Sequence, residues 1–71
     1  MTVTPAQTQK ILQGNHKFSQ LGFSLLVTRL KGIYSKDPSQ AVLENCTNEL
    51  NVYFEKYKAI LTADLSLISQ L

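Results

Sequence analysis

The sequence predicts an all-α protein, a two-helix antiparallel hairpin expected to dimerise into a four-helix bundle. Three observations lead there. Thr4-Pro5-Ala6-Gln7 and Asp37-Pro38-Ser39-Gln40 are both helix-start signals. Each puts an oxygen-bearing cap before a proline at the first helical position, with a glutamine placed to reach back to the cap's free N–H. No other proline interrupts the chain, and the apolar residues recur at helical rather than alternating spacing.

Helix 1 is expected from about residue 5 to 35. Ile11, Leu12, Phe18, Leu21, Phe23, Leu25, Leu26, Val27, Leu30, Ile33 and Tyr34 fall on its apolar side. On a wheel of about 100° per residue they cover roughly 240°. A one-sided surface helix shows a stripe of roughly 100°, so one neighbouring helix cannot cover this arc. Gly14-Asn15 is the weak point, because glycine disfavours a helix interior by about 1 kcal/mol relative to alanine and asparagine is a competent cap. A break there would leave residues 5–13 as a separate short helix. Gly22 lies inside the apolar arc, where a missing side chain lets a neighbour come close.

A short link, Ser35-Lys36, connects to helix 2, expected from about 38 to 70. Connections of a few residues force consecutive helices antiparallel. Leu43, Leu50, Tyr57 and Leu71 recur at sevens with Asp64 in the same series, and Cys46, Tyr53, Ile60 and Leu67 form a second series. This is the seam pattern of antiparallel bundles. In a simple hairpin Tyr57 lies beside Asn15, and a hydrogen bond between them would fix the register.

Residues 1–71 are thus expected to form one small domain that does not stand alone. Chains this short lean on disulfides, metals or oligomerisation. Cys46 is the single cysteine and His16 the single histidine, which leaves oligomerisation. The expected dimer core comprises Phe18, Leu21, Leu25, Leu26, Leu50, Tyr53, Ile60 and Leu61. Arg29 lies within the apolar arc and Asp64 within the seam. Buried charges need partners, so a head-to-tail dimer with intermolecular Arg29–Asp64 pairs is expected.

The chemistry-bearing residues are sparse. Cys46 reads as a small buried hydrophobe between Leu43 and Leu50. Glu44, Glu49 and Glu55 mostly face outward, and Gly14, Gly22 and Gly32 are scattered rather than gathered in a phosphate loop. No catalytic, cofactor or metal site is expected. Net charge is +2, but it is unevenly spread. Residues 1–36 carry Lys10, Lys17, Arg29, Lys31 and Lys36 with no acid, whereas residues 37–71 carry five acids against Lys56 and Lys58. Two readings fit this asymmetry: complementary helices that attract each other, or a basic surface on helix 1 that meets an acidic partner. Nucleic acid is disfavoured as a partner by the single arginine and the glutamines between the lysines.

The expected function is therefore non-catalytic: self-association and protein–protein interaction, as an adaptor, inhibitor or assembly subunit. The partner is a second copy or another helical protein. One alternative is a small co-chaperone holding an amphipathic helix of a client; another is an RNA-binding hairpin dimer. Neither a membrane span nor a secretory signal is apparent, and a cytoplasmic location is the default expectation.

Overall fold

Thr4 starts the first helix as its neighbours predict. Its hydroxyl accepts from the Gln7 N–H at 3.2 Å, and the Gln7 side chain accepts from the Thr4 N–H at 3.0 Å, a complete capping box. The computed structural model describes residues 2–71. Among these the chain is all-helical, with α1 at Pro5–Gln13, α2 at Leu21–Lys36, α3 at Gln40–Tyr57 and α4 at Thr62–Ser69. The expected pair of long helices is thus corrected to four shorter ones. The longest dimension is 31 Å, well short of the roughly 45 Å that a 30-residue helix spans at 1.5 Å per residue.

The first break falls at the weak point. Gly14 ends α1 with an extended backbone, its N–H donating to the Lys10 carbonyl at 3.0 Å. The Lys31 ammonium, from the middle of α2, donates to the Gly14 carbonyl at 2.8 Å. A β-carbon at position 14 would lie 2.9 Å from the Lys10 carbonyl oxygen and 2.6 Å from the His16 ring. The break lets α1 fold back against both α2 and α3. Val3, Ile11 and Leu12 then become buried. Asn51 secures the leading segment by accepting from the Val3 N–H at 2.7 Å and donating to its carbonyl at 3.2 Å.

The second break has no local breaker. Residues 58–61 tighten into turns in which the Ile60 N–H donates to the Tyr57 carbonyl and the Leu61 N–H to that of Lys58. Leu61 opens α4 without a side-chain cap. Turning here carries Leu61, Asp64 and Ile68 into the interior. Between the two breaks, α2 and α3 do form the expected antiparallel hairpin, but α3 starts two residues late. Ser39 is its cap, accepting from the Val42 N–H at 3.2 Å, while Asp37 closes α2.

The core sits between the inner face of the α2/α3 hairpin and the elements folded over it. Phe23, Val27, Leu30 and Tyr34 of α2 meet Leu43, Cys46, Leu50 and Phe54 of α3. Their spacings of three and four residues define one stripe on each helix. The Phe23 and Phe54 rings meet at a tilt with centroids 5.2 Å apart, and Phe18 is edge-on to Phe23 at 4.7 Å. One buried polar contact crosses the core, with the Thr47 and Thr8 hydroxyls 2.9 Å apart.

Several expectations about single residues change accordingly. Leu50 and Leu61 are buried, and Phe18, Leu26 and Tyr53 are partly buried against the core. Leu21, Leu25 and Ile60 are 71%, 61% and 58% exposed on the single chain. The expected Tyr57–Asn15 bond is replaced by one between Tyr53 and Gln20 at 2.8 Å, because the break exposes Asn15 and draws the chain inward at Gln20. Gly22 permits this approach, since a β-carbon there would lie 2.5 Å from the Tyr53 hydroxyl.

Gly32 has no such role. It lies exposed in mid-helix, and a β-carbon there would meet nothing within 4 Å. Gly32→Ala is expected to stabilise the fold by about 0.5–1 kcal/mol, through helix propensity and a less flexible unfolded chain. Urea denaturation with an unchanged slope and a raised midpoint is the expected readout.

Candidate functional site

Two features stand out from the packing: a buried carboxylate at the start of α2 and an open groove on the outer side of the hairpin. The carboxylate is Asp64, only 3% exposed. One oxygen accepts from the Ser19 N–H at 2.7 Å and the Ser19 hydroxyl at 3.0 Å; the other accepts from the Gln20 N–H at 3.0 Å. Gln20 is the N-cap of α2, and its side-chain oxygen accepts from the Phe23 N–H at 2.6 Å and from Tyr53. A negative group at a helix N-terminus is favoured both by the orphan N–H groups and by the helix dipole. Asp64 is therefore a structural clamp that joins α4 to the start of α2 within one chain.

Arg29 is likewise accounted for within the chain. Its guanidinium bonds Glu49 of α3 at 2.6 Å, and both side chains are about half exposed. The expectation of intermolecular Arg29–Asp64 pairs rested on both charges being buried without partners. Neither charge is in that state, so that pairing loses its basis.

The groove runs between α2 and α3 on the side that α1 and α4 leave open. It encloses about 440 Å³. Half-buried Leu26, Tyr53 and Tyr57 form its floor, and Val52 stands 69% exposed beside them. The Tyr53 and Tyr57 rings pack at a tilt with centroids 4.5 Å apart. Arg29, Glu49 and Lys56 rim it, with the Lys56 ammonium 5.4 Å from the Tyr57 ring centre. Single exposed apolar residues are ordinary. Several gathered in a concave site between two helices are what an interaction surface requires.

Leu26 and Tyr53 are expected from the sequence in the dimer core and Tyr57 in the seam, whereas Val52 belongs to neither heptad series. The signal for Val52 lies in α3. Val52 is on the far side of the Leu43–Leu50 stripe, and Glu49, Val52, Tyr53 and Lys56 share one strip by helical spacing.

Cys46 is 1% exposed. Burial is the main cause pushing its thiol pKa above the ordinary value; the Glu49 charge adds to this and Arg29 opposes it. Since the thiolate is the reactive form, labelling by a thiol reagent at neutral pH is expected only as fast as the chain opens. Rapid stoichiometric labelling of the folded protein would contradict this placement.

Two of the first-half lysines are engaged by backbone carbonyls. Lys10 donates to the Leu71 carbonyl at 2.6 Å, Lys31 to Gly14, and Lys17 lies in the connection between α1 and α2. No helix among the described residues is long and apolar enough to cross a membrane. Comparison with protein-family models, curated proteins and solved structures finds no match for this chain.

Proposed function

We propose that this chain is a small non-catalytic helical protein that acts through self-association and protein–protein interaction, and that the outer α2/α3 groove is its working surface. One observation carries the reading. Leu26, Val52, Tyr53 and Tyr57 gather on a face that no other described part of the chain covers. Tyrosines suit such a face because they bring large apolar area with little entropy to lose and a hydroxyl that tolerates water. The chain's own core is complete without this face, so covering it is an act of association rather than of folding.

Light scattering on the purified chain over a concentration series tests the reading. The mass is expected to rise above the 8.0 kDa of one chain. Over the same series, the ring signals of Tyr53 and Tyr57 are expected to shift while those of Phe54 stay fixed. A mass that stays at 8.0 kDa throughout would exclude self-association.

A further inference from the structure

We infer that the groove is occupied by a second copy of this chain, with the two α3 helices antiparallel across a two-fold axis near Val52 and Tyr53. The inference rests on the self-association proposed above and specifies its surface and orientation. Its basis is the charge pattern of the outer strip of α3. Glu49, Val52, Tyr53 and Lys56 occupy positions i, i+3, i+4 and i+7, so they line one face. The strip carries an acid at one end, a base at the other and apolar residues between.

An isologous interface sets each residue against its symmetry mate's counterpart. With the α3 helices antiparallel about the strip's midpoint, Glu49 of one copy faces Lys56 of the other, and the pair occurs twice. Val52 of each copy then meets the Tyr53 side of its mate and projects toward the groove. Parallel helices would oppose Glu49 to Glu49 and Lys56 to Lys56, so the pattern selects the antiparallel arrangement. Glu49 keeps its own Arg29 at 2.6 Å, and the partner's lysine adds to the exposed side of that carboxylate. Such rim charges set orientation and partner choice, while the apolar centre supplies the attraction.

The test uses four samples of the whole chain: Val52→Glu, Glu49→Lys, Lys56→Glu, and an equimolar mixture of the two charge variants. All three positions are exposed, so helical circular dichroism is expected to match the parent. Each single variant is expected to weaken the dimer about tenfold or more, because two like-charge or buried-charge contacts arise by symmetry. The mixture is expected to recover the lost affinity. In the mixed dimer the lysine introduced at position 49 of one chain faces the glutamate introduced at position 56 of the other. The remaining Lys56 then faces the remaining Glu49, so both contacts join opposite charges. A dimer unaffected by Val52→Glu, or a mixture no tighter than either variant alone, would overturn the inference and leave self-association standing through another surface. A parent chain that remains a single copy at every concentration would overturn both.

Discussion

Asp64→Ala is expected to destabilise the fold by roughly 3 kcal/mol, the cost of leaving buried donors without their charged acceptor. The carboxylate takes three hydrogen bonds, two of them from the backbone N–H groups of Ser19 and Gln20. Removing it strands those groups and withdraws the negative charge from the start of α2. Asp64→Asn is expected to fall between alanine and the parent, because a carboxamide retains one accepting oxygen but presents an NH2 where a second acceptor is needed. Ser19→Ala removes only the hydroxyl bond and is expected to cost about 1 kcal/mol or less. A domain of this size has about 4–10 kcal/mol of stability in total, so the alanine variant should lose much of its folded population in mild urea. Equal midpoints for Asp64→Ala and Ser19→Ala would show that the carboxylate does not clamp α4 to α2.

Phe54→Ala is expected to cost about 3–5 kcal/mol, the range for emptying a buried aromatic site. The residue is 1% exposed and its ring packs at a tilt against Phe23. Leu25→Ala provides the contrast. Helical periodicity alone assigns Leu25 to a closed core, where truncation would cost about 2–5 kcal/mol. The structure leaves it 61% exposed, and a surface substitution is expected to stay within about 0.5 kcal/mol. Urea midpoints of the two variants, taken where the chain is a single copy, distinguish these accounts. A Leu25→Ala loss comparable to that of Phe54→Ala would contradict the arrangement of α2 described above.

The wide apolar arc of the first half has a geometric explanation. Winding residues 5–35 on one wheel assumes a single axis, but the break at Gly14 gives α1 and α2 separate axes. Each helix then shows its own narrow buried stripe: Thr8, Ile11 and Leu12 on α1, and Phe23, Val27, Leu30 and Tyr34 on α2. Superposed on a false common axis, these stripes merge with exposed Leu21 and Leu25 into an arc wide enough to demand an external partner. Much of that demand is met from within, since the chain folds α1 and α4 over its own hairpin. The groove on the other side is what remains open.

Short-range chemistry was readable from the residues themselves. The Thr4 capping box, the helical class and the burial of Cys46 each depend on neighbours within a turn or two, and all appear in the structure; the α2/α3 turn appears as well, but at residues 37–39 rather than at Ser35-Lys36, which stay helical. Gly14-Asn15 marked a place where the helix was weak. What made it a break lay elsewhere, in the Lys31 ammonium and in the burial gained when α1 folds back. Lys58-Ala59-Ile60-Leu61 carried no mark at all, and the one clue was an acid, Asp64, standing in an apolar seam. That acid is explained only by Ser19, 45 positions away. Contacts of that range are set by how the helices pack, because no local preference distinguishes a seam position facing hydrocarbon from one facing the open N–H groups of another helix. Packing likewise decided which side of the hairpin was covered, and so which apolar residues became core and which were left exposed.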